Sequence, residues 1–253
     1  MNIVIINKDQ PPMSLAAFPT KDRITVSFDA EAPIEILGVY TTALGAHAPG
    51  FYAGANRNHG LAASYAQFGK SGHVLFLDGD RTPDHYSEAI ITDTLKKYDA
   101  DALLLTCKTD PRSIAKSPLL DGPVDAGCLV SEFFSCGFVL TDRAIEAVCT
   151  ENNGALFHPA FNGYWGEEDK YLGIQLENLG FKTCFTNAIK LGGGPLGDTI
   201  ARKGYGISLQ TRINLMRSKG YPMRNNDLYA HLEKDKTGKV IKVYDGLQAP
   251  RSL

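Results

Sequence analysis

The stretch His73-Val74-Leu75-Phe76-Leu77-Asp78-Gly79-Asp80 constrains this chain more than any other. Four consecutive apolar residues between Gly72 and an acidic turn read as a short buried strand, too brief for a helix. In an open α/β sheet, ligands bind in the crevice beyond the carboxyl ends of the strands. Asp78 and Asp80 fall at that end. An Asp-x-Asp pair suits a hard divalent cation, which takes carboxylate oxygens and bridges to phosphate oxygens. Gly79 keeps the turn slim enough for a charged ligand to approach the backbone. The same three residues also make an ordinary solvated turn, so the choice between the two depends on what else the chain carries.

With 253 residues, 43% of them hydrophobic and 21% charged, the chain can build one large α/β domain or a domain with a modest appendage. A net charge of -2 leaves no basic footprint for binding that rests on many phosphate contacts. Cys107, Cys128, Cys136, Cys149 and Cys184 are odd in number, scattered, and form no Cys-x-x-Cys pair. That argues against a disulfide framework or a zinc knuckle and for buried thiols in a reducing compartment. No apolar run approaches the roughly 18 residues of a membrane span, and the N-terminus lacks the layout of a signal peptide. A soluble, cytoplasmic protein is expected.

Asn2 to Asn7 is an apolar run suited to an inner parallel strand, ending in Lys8-Asp9-Gln10. Met13 to Phe18 fits a short helix, and Arg23 to Phe28 alternates as a second strand with Asp29 at its end. Ile34 to Tyr40 reads as an adjacent third strand. The polar, glycine-bearing Asn56-Arg57-Asn58-His59-Gly60 predicts a helix start near Asn56, with free N–H groups and Arg57 aimed at an anion or, more plainly, an N-terminal cap with Arg57 in solvent. Thr82-Pro83-Asp84 predicts a helix from there to about Tyr98. Ala102 to Cys107 and Phe133 to Leu140 read as strands and Asp142 to Cys149 as a helix. Residues 108 to 132 are long for a structureless connection, and such loops are commonly lids or binding loops.

A second acidic cluster lies in Trp165-Gly166-Glu167-Glu168-Asp169. Leu172, Leu176 and Leu179 at i, i+4, i+7 predict a helix from about Glu167 to just before Gly180, so its three acids occupy the first turn. The helix dipole favours acids there for stability alone. The only tryptophan of the chain stands beside them, and a carboxylate next to an aromatic platform suits holding a sugar while taking a proton from its hydroxyl. Thr183 to Phe185 reads as a strand, Lys190 to Asp198 as a flexible glycine loop, and Ile207 to Ser218 as a helix. Leu232 to Lys236 and Lys239 to Tyr244 read as a terminal hairpin about Thr237-Gly238. Residues 1–205 are expected to form the main domain, with 206–253 a helix and hairpin packed on it.

In order and spacing, Asn56-Arg57-Asn58-His59-Gly60, Leu75-Phe76-Leu77-Asp78-Gly79-Asp80 and Trp165-Gly166-Glu167-Glu168-Asp169 resemble the motifs of GT-A fold glycosyltransferases of the family 2 type. The last stretch is also similar to the Trp-Gly-Gly-Glu-Asp of β-1,4-galactosyltransferases. The resemblance covers about residues 2 to 192. It implies an α/β fold with a mostly parallel, Rossmann-like central sheet flanked by helices, and a small C-terminal extension.

It also implies transfer of a sugar, with inversion, from a nucleoside diphosphate sugar, with UDP the expected nucleotide, to an acceptor hydroxyl on a saccharide, lipid-linked, protein or modified-nucleobase acceptor. By that resemblance Asp80 ligates the Mn2+ or Mg2+ that bridges the donor diphosphate, with Asp78 beside it contacting the donor ribose or an ordering side chain. Asp29 reads the nucleotide base and Arg57 supports the nucleotide side. Asp169 is the general base with Glu168 orienting the acceptor, roles the two could exchange, and Trp165, Gly166 and Glu167 contact the substrate. The pattern departs at Leu191-Gly192-Gly193-Gly194, where many members carry a histidine metal ligand; either Asp198 substitutes or the metal relies on Asp80, phosphates and water. A sugar-1-phosphate nucleotidyltransferase is the first rival, though Asn7-Lys8-Asp9-Gln10-Pro11-Pro12 lacks its glycine-rich basic signature. A non-catalytic carbohydrate-binding protein using Trp165 is the second.

Overall fold

The computed structural model describes residues 1–8, 10–48, 50–107, 127–130, 136–164, 166–193, 205–222, 231–234, 240–244 and 251–252. The expectations for Asp9, Trp165, Asp198, the Thr237-Gly238 turn and most of the 108–132 loop lie outside them.

The two apolar runs of the N-terminal half become β1 (Asn2–Asn7) and β4 (His73–Asp78), paired in parallel with Ile6 opposite Asp78. On its other side β1 pairs in parallel with β2 (Ile24–Phe28), Asn7 opposite Phe28, and β2 pairs with β3 (Tyr40–Ala43). Parallel register brings the carboxyl ends of β1, β2 and β4 to one edge, so Asn7, Asp29 and the Asp78–Asp80 turn are neighbours. The apolar residues Ile34, Ile36 and Val39 do not form the expected strand. Gly38, at φ 75, breaks that run in a turn, and its side chains pack onto the core from a loop, so the third strand begins only at Tyr40.

Beyond β4 the sheet becomes mixed. β8 (Gly137–Thr141) runs antiparallel to β4 and to β6 (Ala102–Cys107), β6 runs parallel to β9 (Thr183–Gly193), and β5 (Arg81–Pro83) and β7 (Gly127–Val130) are antiparallel to β9. The order is β3-β2-β1-β4-β8-β6-β9-β5, with β7 also on β9, so the parallel character is concentrated in the half that carries the first acidic turn.

Thr82 and Pro83 start no helix; they form an edge strand, where a proline's missing donor is tolerated. The helix starts at Ser87, whose hydroxyl accepts from Ile90 N at 3.3 Å, and runs over α2 (Glu88–Lys97), after α1 (Ala53–Phe68). Likewise Lys190–Gly193 is no flexible loop but the end of β9, held by β5.

The remaining described α-helices are α3 (Asp142–Glu151), α4 (Glu168–Asn178) and α5 (Tyr205–Lys219), and the short helix expected after β1 is a 3-10 turn over Met13–Ala17. α1 lies directly on β1 and β2, an approach that Gly60 permits: a Cβ there would stand 2.7 Å from Val4 Cγ1 and 3.0 Å from Ser27 Cβ. The main core fills the sheet faces, with Phe76 and Phe138 stacked at 4.8 Å. A second, small core of Phe161, Tyr171, Ile174 and Met216 joins α4 to α5. The hairpin expected near the C-terminus is β10 (His231–Lys234) against β11 (Val240–Tyr244), extended by β12 (Arg251–Ser252) into a three-stranded antiparallel sheet. Among the described residues no helix is long and apolar enough to cross a membrane.

Candidate active site

Three successive residues of α1 knit the site together, because neighbours on a helix point roughly 100° apart and reach different walls. Asn56 donates to the carbonyls of Asn7 (3.3 Å) and Ser27 (3.1 Å), satisfying the ends of β1 and β2. Asn58 donates to Phe157 O at 2.8 Å and accepts from Phe157 N at 2.9 Å, fastening the segment that leads to α4. Between them Arg57 turns inward. The helix begins at Ala53, not Asn56, so Asn56 N is already bonded to Tyr52 O at 2.8 Å and is not an open anion donor. Nor does Arg57 stand in solvent: it is 2% exposed.

The Arg57 guanidinium is where the two acidic clusters meet. Its Nη2 donates to Asp78 Oδ1 at 2.6 Å, its Nη1 lies 3.8 Å from Glu168 Oε1, and it rests over the Phe157 ring at 5.2 Å. Burial opposes the Arg57 charge, but Asp78, Glu168 and Asp169 together outweigh it and raise its pKa. For Asp78, burial and then the nearby Asp80 push the pKa up against the pull of Arg57; with 31% of the side chain open, solvent moderates that push. Glu168 is enclosed far more completely. Desolvation and the adjacent Asp169 raise its pKa to about 8 despite Arg57, and its Oε2 is buried with no hydrogen-bond partner. Burial and Asp169 thus favour the neutral form of Glu168.

Burial of three consecutive acids is more than helix-dipole stabilisation requires, since a buried carboxylate is costly unless paired. Glu168 is 6% and Asp169 8% exposed in the first turn of α4, where Lys170 N donates to Asp169 Oδ1 at 2.8 Å. Glu167, expected to contact substrate, is 1% exposed and turned the other way, onto Lys170 Nζ (2.8 Å) and Arg212 Nε (2.5 Å). Gly166 is partly exposed and gives its carbonyl to Ser208 Oγ.

At the carboxyl edge of the sheet, Asp29 follows β2 and meets His47 Nε2 at 2.8 Å, with His47 against the Tyr52 ring at 4.1 Å. Asp80 is the carboxylate turned outward: its side chain is 51% exposed, with Arg81 Nε 3.5 Å away. Its backbone is set by β9. A Cβ at Gly193, which has φ +108, would come within 2.1 Å of Asp80 O, so only glycine serves there. Among the described residues no three His, Cys, Asp or Glu side chains converge into a cage that would hold a metal alone. The donor set fits a different arrangement. Mg2+ and similar ions keep several waters and need one or two carboxylates when substrate phosphates supply the rest, and outward Asp80, with Asp78 anchored behind it by Arg57, offers that.

No protein-family model and no curated protein sequence matches the chain. Solved structures do. GalNAc-T7, solved with UDP, GalNAc and Mn2+, superposes with a TM-score of 0.55 at 10% identity, covering 85% of this chain and 47% of that one. S. aureus TarS residues 1–349 gives 0.50 at 11% identity over 85% of this chain and 65% of that one, and its complex with UDP-GlcNAc gives 0.54 at 13% over 85% and 66%. The fold is GT-A. The chain spans about half to two thirds of the length of these proteins. In this GT-A frame the β4 turn and the α4 start sit on the two sides of Arg57.

Sequence reasoning passed over several residues that shape the site. His47 and Phe157 belong to no periodic pattern, and only the fold brings them in. Arg212 carried a signal: with Ser208, Leu209, Ile213 and Met216 it lies in the buried stripe of α5, and an arginine in such a stripe needs a buried acid.

Proposed function

We propose that the chain is an inverting glycosyltransferase that moves a sugar from a nucleoside diphosphate sugar, UDP being the expected nucleotide, to an acceptor hydroxyl. The observation that supports this reading is the Arg57 bridge, 2.6 Å to Asp78 and 3.8 Å to Glu168, which joins two acid clusters far apart in sequence through one buried side chain.

In this reading Asp29, steadied by His47, takes the edge of the nucleotide base. Asp78 faces the donor ribose while Arg57 orders its carboxylate. Asp80 is the ligand that Mn2+ or Mg2+ would use, and the bound ion would supply Lewis-acid neutralisation of the leaving diphosphate. Asp169 accepts the acceptor's proton as its oxygen attacks the anomeric carbon. The bond from that carbon to the phosphate oxygen breaks, the electron pair leaves with the diphosphate, and attack from the opposite face inverts the centre. Glu168, whose neutral form burial and Asp169 favour, donates a hydrogen bond that orients the acceptor. Residues 1–205 form the transferase domain in this account, with 206–253 an extension of it.

A thermal-shift panel of UDP-sugars, with and without Mn2+, followed by measurement of UDP release, tests the reading. A donor at 100 times its Kd adds about 2.7 kcal/mol, or roughly 5–10 °C for a domain of this size. Absence of both a shift and UDP release across the panel would overturn the assignment.

A further inference from the structure

We propose that Arg212 is a positioning residue for the acceptor-side acids, acting through Glu167, so that α5 is part of the transfer machinery and not an appendage. This rests on the transferase reading above.

Glu167 adopts φ 71° and ψ -17°, a left-handed conformation that side chains other than glycine, asparagine and aspartate rarely hold. Such a residue persists only where its surroundings over-determine it. Those surroundings come from α5. Arg212 Nε donates to Glu167 Oε2 at 2.5 Å with both side chains buried, and Ser208, one turn earlier on α5, donates to the carbonyl of Gly166. Two residues at i and i+4 of one helix thus grip the two residues that precede α4. Lys170 Nζ, 2.8 Å from Glu167 Oε1, closes the clamp from within α4.

α5 is itself anchored by Met216 in the small core and by Lys219 on Glu151 at 2.8 Å. Glu167 ends the turn, and Glu168 and Asp169 follow at once. If Glu167 relaxed to a right-handed conformation, the start of α4 would shift by a residue, and each residue of shift swings the first-turn side chains by about 100°. Glu168 would leave Arg57, and Asp169 would leave the acceptor space. A buried ion pair is often no more stabilising than apolar residues of the same volume. A hold on backbone conformation is a better account of why the pair is here.

The test uses the full chain as Arg212→Met with Glu167→Gln, a pair that removes both buried charges at nearly constant volume, and as Arg212→Lys. The first readout needs no activity: 13C NMR titration of glutamate carboxyls, in which Glu168 faces Arg57, Asp169 and Asp78. The wild type should show one carboxyl titrating well above the ordinary range. In the folded double variant that resonance should return towards the ordinary range, and Arg212→Lys should restore it in part. The second readout is UDP-GlcNAc with Mn2+: the double variant should bind it within about twofold of wild type and release UDP at least tenfold more slowly. A double variant with an unmoved titration and full UDP release would overturn the clamp and leave the transferase reading standing. A wild type that neither binds nor cleaves any UDP-sugar would overturn the transferase reading, and the NMR titration would still decide whether Arg212 positions Glu168.

Discussion

Replacing Glu168 by glutamine should change how stability depends on pH, with a sign and size that follow from its surroundings. In the folded protein, desolvation and the neighbouring Asp169 hold the Glu168 proton until about pH 8. An unfolded glutamate releases it near pH 4.3. Between those values the folded state binds one more proton than the unfolded chain, so stability from this group is complete at low pH and is lost as pH rises through about 8. At about 1.4 kcal/mol per unit, the loss is on the order of 3–5 kcal/mol across the window. A glutamine in its place would be neutral in both states and would lose nothing. Urea unfolding of the two proteins at about pH 4, 5, 6, 7 and 8 should therefore give stabilities that nearly coincide at the acid end and separate steadily above it, the variant becoming the more stable. Parallel pH profiles would show that Glu168 is ordinarily ionised and that its pocket is wetter than the described geometry.

Arg57→Met should destabilise the protein by about 3–5 kcal/mol, the cost of leaving the Asp78 carboxylate without its cation, with the lower end expected because Asp78 keeps 31% of its side chain in water; a loss under about 1 kcal/mol in chemical denaturation would contradict the bridge. Gly193→Ala places a Cβ where Asp80 O stands 2.1 Å away, so it should displace the Asp80 turn and weaken Mn2+-dependent binding of UDP-GlcNAc at least tenfold while the far-ultraviolet circular dichroism stays unchanged. Unaltered calorimetric affinity in that variant would detach β9 from the donor side.

Much of the fold was legible where a strand is a short apolar run, as in β1 and β4. Val74 to Leu77 could only be a buried strand, and its ending in Asp78 placed chemistry at a sheet edge. The α4 start was legible from Leu172, Leu176 and Leu179 together with the acids before them. Illegible features were those where packing and pairing share one sequence signal. Ile34, Ile36 and Val39 are apolar because they cover the core, not because they pair. Thr82-Pro83 has the chemistry of a helix start but is held as an edge strand by β9, and the glycines at 192 and 193 look flexible in sequence although close approach to Asp80 demands the second of them. The role of Arg57 was half legible. Its place near the start of α1 pointed to charge, but that the charge would join Asp78 to Glu168 depends on a contact with a residue more than 100 positions away in the chain.

The claim that one pocket holds donor acids on one side and acceptor acids on the other is tested most directly by two substitutions read in parallel: Asp80→Asn and Asp169→Asn, each assayed for UDP-sugar binding by calorimetry with Mn2+ and for sugar transfer by UDP release. The account predicts that Asp80→Asn weakens binding, and that Asp169→Asn binds like the wild type but turns over about 10²–10⁴ times more slowly. Normal turnover by Asp169→Asn, or wild-type donor affinity in Asp80→Asn, would contradict it.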